Sequence, residues 1–338
     1  MLRFFLWPFA KGFELISRTY QMAWDRGIFQ SQRAPIPIVC IGNLVVGGVG
    51  KTPVTILLAN TLSQRKTRCA IASRGYLSKW ENSSNAHLVD PLRTKASECG
   101  DEPLLMARKC PNVSVWITKR RMKSAQCAAH EGAEVLLLDD GMQYRNIEKD
   151  FEIVLLDATL PFGNGSFFPL GTLRDHPQRL SAANLIILMN CKNEATYQNT
   201  KTLVGNYTKA PITGFKSQIS LPQFKKIAVL TAFANQNRFL DLLRVAGIEI
   251  VFVLTLRDHT LFKNKMIEAF TGKAIKAGAE AIICTEKDHV KIESPLKSSI
   301  PIVPIPLEIV PVYDKERWEQ ALDQIIRLPR ESVCNRSK

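Results

Sequence analysis

The sequence predicts an α/β protein: a mostly parallel sheet sandwiched by helices, a second, smaller α/β domain after it, and an amphipathic helix in front. Three observations carry this. From Pro35 onward, short apolar runs bounded by turn residues alternate with helix-periodic segments. The segment GNLVVGGVGKTP at 42–53 stands between the first such run and the first such helix. After a looser stretch at 202–223 the alternation starts again.

At the N-terminus, Phe9, Phe13, Ile16, Tyr20 and Ala23 or Trp24 recur at spacings of four and three, one stripe of a helix. Arg3, Lys11, Arg18 and Arg26 flank that stripe. The apolar run 4–10 is interrupted by Pro8 and stopped by Lys11, too short to span a bilayer, and it has no signal-peptide pattern. A helix capping the protein's own core is one outcome of such a stripe. The added knob of Phe4, Phe5, Leu6 and Trp7 favours a helix lying in a membrane interface.

The following strands are expected at 38–41, 68–72, 114–117, 135–139, 153–157 and 185–189, with helices at 54–63, 102–109 and 119–131. The second alternation places strands at 226–231, 248–254, 281–285 and 302–306, with helices at 237–246, 264–277 and 314–327. The expected division is an N-terminal helix 1–33, a core domain 34–215, a smaller domain 216–330 and a tail 331–338. In such sheets ligands bind at the carboxyl ends of the strands.

Composition narrows the partners. An apolar content of 46% and a charged content of 22% over 338 residues exclude a disordered chain. A formal charge of +14 calls for a surface or partner that tolerates it: nucleic acid, anionic lipid or a phosphorylated substrate. No nucleic-acid recognition motif appears, and the aromatics are not interleaved with a basic run. The eight cysteines form no C-x-x-C pair, and read as reduced core residues of a cytosolic protein.

The glycine segment has the strand–loop–helix context of a phosphate-binding loop, and hence of a P-loop NTPase-like domain using ATP and Mg²⁺. Gly47, Gly48, Val49, Gly50, Lys51, Thr52 and Pro53 form its phosphate-facing part. Glycines let backbone N–H groups converge on phosphate oxygens, and the helix N-terminus adds positive potential. Lys51 is placed to reach the β- and γ-phosphates, and Thr52 to ligate Mg²⁺. The spacing is a variant, since Val45 stands where the first glycine is usual. Asp139 and Asp140 end an apolar strand, where a Walker B acid serves the metal.

Other segments are weaker in isolation. Asp101 before Pro103 reads locally as a helix cap. Arg74 follows a strand at the ligand-binding edge, suited to bidentate phosphate contact. The long glycine-rich loop 161–175 carries Arg174, a candidate to stabilise a transferring phosphoryl group. The segment Thr285-Glu286-Lys287-Asp288 is not the guanine-reading N-K-x-D pattern.

Together these segments resemble the tetraacyldisaccharide 4′-kinase family of lipid A biosynthesis. The signatures run in order: GNLVVGGVGKTP at 42–53, SRGY at 73–76, GDEP at 100–103, DDGMQY at 139–144, PFGNG at 161–165, LRD at 173–175, DH at 258–259 and TEKD at 285–288. The resemblance implies an enzyme that moves the ATP γ-phosphate onto the 4′-hydroxyl of a tetraacyldisaccharide 1-phosphate, at the cytoplasmic face of the bacterial inner membrane. It reassigns Asp101 as general base and His259 as the partner that orients or tunes it. It also implies catalytic roles for Lys51 and Arg174, metal ligation by Thr52, Asp139 and Asp140, and substrate binding by Arg74, Asn43 and Gln143. No obligate protein partner is implied. The chain departs from the family pattern at Met142 and Tyr144, at Leu77-Ser78 after SRGY, and at Gln236, where a proline is usual after Asn235. A membrane-associated switch ATPase with a deviant loop is the rival reading. Val46 stands where its signature lysine belongs, and this argues against it.

Overall fold

A strand covered on both faces has no polar side to show, so its residues are apolar throughout. In the computed structural model, which describes residues 2–220, 223–232, 236–292 and 298–334, the predicted runs are strands of this kind. The order is α1 (Leu2–Asp25), β1 (Ile38–Asn43), α2 (Lys51–Gln64), β2 (Cys69–Ser73), β3 (His87–Leu88), α3 (Ala96–Cys99), α4 (Asp101–Lys109), β4 (Ser114–Ile117), α5 (Arg121–His130), β5 (Val135–Asp139), β6 (Phe151–Asp157), β7 (Leu185–Met189), α6 (Glu194–Gly205) and β8 (Ile212–Ile219). It continues with β9 (Lys226–Thr231), α7 (Gln236–Val245), β10 (Glu249–Thr255), α8 (Asn264–Lys276), β11 (Ala281–Thr285), α9 (Glu286–His289), β12 (Ile302–Ile305), β13 (Leu307–Tyr313) and α10 (Lys315–Cys334).

Nine strands form one sheet in the order β13-β8-β7-β6-β1-β5-β2-β4-β3, parallel except where β13 and β3 close the edges antiparallel. Alternate residues of its strands enter opposite layers. Val39, Ile41, Leu137 and Ile153 pack with Leu58 of α2, Leu104 of α4 and Trp318 and Leu322 of α10. On the other face, Cys40, Val154 and Ile186 pack with Tyr197 of α6, and Ala70 and Leu136 with Ala125 of α5. The second sheet, β10-β9-β11-β12, is parallel throughout, with α7 on one face and α8 on the other.

The expected division at residue 215 needs correction. Strand β8 extends to Ile219 in the large sheet, and β13 pairs with it, Ile309 opposite Ser217. Helix α10 packs on the large sheet as well. The four-stranded unit is therefore an insertion between β8 and β13, not a C-terminal domain running to 330. The sequence hid this because Pro311 argues against a strand, yet an edge strand tolerates proline, and the register shifts beside it. Helix α6 escaped notice because only Tyr197, Thr200 and Val204 of its twelve residues are buried.

Strand β1 ends against the turn that follows β5. At Gly42 a Cβ would come within 2.4 Å of the Met142 Cβ, so the glycine permits a close approach. We predict that Gly42→Ala destabilises the protein by about 1–3 kcal/mol. The urea midpoint measures this.

Candidate functional site

The glycine loop hangs from β1 and is clamped by the long loop 161–175. Val46 N–H donates to Thr172 O at 2.6 Å, Arg174 N–H to Leu44 O at 2.8 Å, and Val45 forms a bridge with Leu173. This explains the misplaced first glycine: Val45 is extended and paired, so it needs no glycine. The unusual backbone comes later, at Gly47 (φ +122°) and Gly50 (φ +100°), in conformations that L side chains rarely adopt. Gly50 caps α2 without any side-chain cap, leaving the first-turn N–H groups for an anion. Pro53 sits in that first turn, where its missing N–H costs nothing.

Lys51 and Thr52 open α2, which brings them beside the end of β5. Lys51 Nζ donates to Asn43 Oδ1 at 3.2 Å and lies 3.5 Å from Asp140 Oδ1. Asp139 is buried and accepts from Thr55 Oγ1 at 3.2 Å. Burial, then the charges of Glu102 and Asp140, hold its carboxyl well above the usual range, against the pull of Lys51. Such an acid has a standing affinity for a cation. Asp140 adopts φ +50° and also meets Arg174, whose guanidinium is 3.3 Å away.

The second cluster spans the two sheets. Asp101 is the first residue of α4, where the helix N-terminus favours its ionised form. Both of its oxygens lie 3.1 Å from His259 Nδ1, midway along the β10–α8 connection. Lys291 Nζ is 3.4 Å and Lys287 Nζ 3.9 Å from Asp101 Oδ2. Burial raises the Asp101 carboxyl, but the His259 hydrogen bond and the two lysines outweigh it, so the net shift is downward. The same hydrogen bond raises His259 against its burial. Asp101, Asp258 and His259 also converge closely enough to hold an ion, but two lysines already occupy their neighbourhood.

The TEKD segment builds this junction residue by residue. Thr285 caps α9 and bonds the fully buried Asp288. Asp288 pairs with Lys291 at 3.0 Å, which also donates to Ala232 O. Glu286 reaches Lys109 of α4 and Lys287 reaches Glu102, each at 2.8 Å. Gly100, just before Asp101, packs on Gly75 past the end of β2, and β2 neighbours β5, so both clusters lie at the carboxyl edge of the large sheet.

The remaining predicted residues have distinct surroundings. Arg74 is exposed and pairs with Glu81 at 2.9 Å. Gln143 donates to Asn43 O and to Asp175 Oδ2. Asn43 is fully buried, its amide donating to Val45 O and its oxygen accepting from Lys51, so it supports the loop and is not open to a substrate. Sequence reasoning missed Thr55, whose signal is the one-turn spacing from Lys51 and Thr52, and Lys291, which no local pattern marks; Lys287 stood in the TEKD segment without a role. It also missed Arg121, a buried guanidinium over the Tyr144 ring with its Nε lacking a partner. Asn235 and its neighbours 233–234 lie outside the described residues.

The stripe of α1 is largely exposed: Phe9, Ile16 and Tyr20 face outward, and Phe4 is 88% exposed. Its hold on the body is narrow. Phe13 meets Phe167 and Phe168, Ser17 donates to Arg174 O, and Gln21 donates to Asp175 Oδ1. Among the described residues, no helix is long and apolar enough to cross a membrane. Burial pushes the Cys40, Cys69, Cys99 and Cys110 thiols up to about 12, which removes them as nucleophiles.

Comparison with known proteins follows the same lines. The model of the LpxK family, tetraacyldisaccharide-1-P 4′-kinase, matches residues 2–327. A tetraacyldisaccharide 4′-kinase of Chlamydia muridarum is 38% identical over 309 residues, covering 85% of this chain and 81% of that protein. One from Mannheimia succiniciproducens is 35% identical over 291 residues, 86% of each. The crystal structure of an "apo" form of LpxK from Aquifex aeolicus in complex with ATP aligns with a TM-score of 0.72 at 25% identity, covering 96% of this chain and 100% of that one.

The Asp101–His259 pair sets a testable pH behaviour. His259, raised in the fold, stabilises fully below its unfolded pKa of about 6.5 and loses that contribution as pH rises through its folded value. Asp101, lowered in the fold, stabilises above about 3.9 and loses its contribution as pH falls through its folded value. We predict that NMR titration finds the His259 imidazole above about 6.5, and that Asp101→Asn lowers it, because burial and Lys287 are then opposed by Asp258 alone among the groups named for it.

Proposed function

The chain belongs to the tetraacyldisaccharide-1-P 4′-kinase family, and from that premise we propose how its cleft carries out the family's reaction. It is a tetraacyldisaccharide 4′-kinase of lipid A biosynthesis, transferring a phosphoryl group to the 4′-hydroxyl of a tetraacyldisaccharide 1-phosphate. The observation that carries the proposal is the presence of two half-sites at the carboxyl edge of one sheet. One is a glycine loop with Lys51 and two strand-end acids; the other is a buried carboxylate held by His259.

The loop is a P-loop in this reading, and residues 47–53 bind the ATP phosphates. The N–H groups left by Gly50 and the open inner sides of Gly47 and Gly48, where a Cβ would meet nothing within 4 Å, suit a polyphosphate. Lys51 follows the transferring group, and Asn43 holds Lys51 in place. Arg174 and Lys51 converge on Asp140, which seats two cations beside the phosphates.

Thr52, Asp139 and Asp140 fit Mg²⁺, because Asp139 is a buried acid with a raised pKa that a bound cation would bring down. Once bound, Mg²⁺ would neutralise charge on the phosphate oxygens. Thr55 orients the Asp139 carboxylate by its hydrogen bond.

On the acceptor side Asp101 receives the 4′-hydroxyl proton. Its lowered pKa makes it a modest base, which suffices because phosphoryl transfer passes through a loose transition state with little early deprotonation. His259 fixes the carboxylate through both oxygens, and the arriving proton is held across that contact. Lys287 and Lys291 keep Asp101 ionised between turnovers. Arg74, exposed just past the carboxyl end of β2, receives the acceptor's 1-phosphate.

Helix α1 lies in the membrane interface at the cytoplasmic face of the inner membrane, the protein being peripheral or monotopic. The exposed aromatic stripe supports this placement, since a core cap would have buried it.

An acceptor-phosphorylation assay tests the chemistry. Asp101→Ala is expected to lower kcat by about 10²–10⁴-fold while retaining ATP binding, in line with loss of general-base catalysis. An unchanged kcat removes Asp101 from the mechanism.

A further inference from the structure

Behind α1 lies a cleft of about 950 Å³, separate from the glycine loop, that the reaction does not use. Its floor is at the start of β6 and before β7, the ends of those strands remote from the Asp157 and Met189 termini. There Glu152 is buried and held by two cations at once: Arg179 at 2.9 and 2.7 Å and Lys149 at 3.2 Å. One acid under two largely covered cations leaves a net positive floor. The Arg179 Nε–H is buried without an acceptor, as is the Trp24 Nε1–H on the opposite wall.

Arg18, which also pairs with Glu14 at 2.7 Å, and Arg145 line the walls, and Ser31, Gln178 and Asn184 supply neutral polar groups. The cleft's remaining acid, Glu148, is met by Arg33 at 3.8 Å. Its outer edge is aromatic: the Trp24 and Phe29 rings lie 5.3 Å apart, and Tyr20 touches both. A built cationic floor beneath an amphipathic aromatic rim suits a ligand with an anionic head and an apolar body.

We propose that this cleft binds the phosphate headgroup of an anionic phospholipid, with the acyl chains leaving along Met22, Trp24 and Phe29. The proposal rests on α1 lying in the membrane interface, and this placement selects a lipid over a soluble phosphate. The same helix lines the cleft with Arg18 and Trp24 and bonds the loop of Arg174 and Asp175. A seated lipid would therefore fix α1 against the loop that clamps the glycine segment.

Binding of the full-length protein to phosphatidylcholine vesicles, with and without about one-fifth phosphatidylglycerol, tests this. The wild type is expected to bind both and to prefer the anionic vesicles. Arg18→Gln combined with Arg145→Gln should cost about tenfold or more of that preference, at roughly fivefold per cation near the surface. The control pair Lys225→Gln with Lys276→Gln, exposed on the smaller unit, should cost less than about twofold. Trp24→Phe, which keeps an aromatic ring and loses the N–H, should reduce the preference and spare neutral binding. Removing residues 1–28 should abolish binding to neutral vesicles.

Equal loss in both double variants means diffuse charge and overturns the cleft. Equal binding of the wild type to both vesicles overturns the cleft alone, whereas binding to neither overturns the α1 placement and the cleft with it. Inorganic phosphate bound in solution below about 1 mM, and lost in the cleft variant, makes the ligand a free phosphate and overturns the lipid assignment.

Discussion

A single buried carboxylate governs how the two sheets sit together. Asp101 is only 6% exposed, and an ionised acid so placed is tolerated only when nearby groups replace its hydration. Three of those groups, His259, Lys287 and Lys291, come from the inserted unit. The inserted sheet is thus held where Asp101 needs it. The Glu102–Lys287 and Lys109–Glu286 pairs flank the same junction along α4. Opening the cleft would expose the acid and leave Lys287 and Lys291 one acidic partner short, so the proposed base also serves the docking.

A second chain of contacts runs from α1 to the glycine loop. Gln21 and Gln143 both bond Asp175, Arg174 reaches Asp140, and Asp140 reaches Lys51. Among the described residues, the loop 161–175 thus connects α1 to the glycine loop. The left-handed backbone at Asp140 and at His259, φ +50° and +61°, places uncommon conformations at the two ends of the site. Such residues persist when their surroundings hold them, here through two cations on one side and an acid on the other.

Much of this was legible in the sequence where the signal is local. The run 38–41 before the glycines, the acid pair ending 135–139 and the start of α2 are each set by neighbours in the chain, and the strands are found there. Asp101 read alone as a helix cap; the structure puts the cap at Gly100 and Asp101 one place inside. Only the ordered set of motifs raised it above a turn. What stayed hidden depends on partners distant in sequence. Val45 looked like a defect until Leu173 was found beside it, and Asn43 looked substrate-facing until Lys51 and Val45 were found to use its amide. Lys291 bears no motif and matters only because α9 turns it toward Asp288 and Asp101. Strand β13 could not be assigned to the first sheet from its own residues, because its partner β8 is polar and lies about ninety residues earlier.

The central claim is that His259 acts through Asp101 and not on its own. The direct measurement is kcat for Asp101→Ala, His259→Ala and the double variant with the tetraacyldisaccharide 1-phosphate acceptor. The account predicts a double variant within about twofold of Asp101→Ala alone, as for groups that work as one unit. Losses that multiply across the two sites would contradict it.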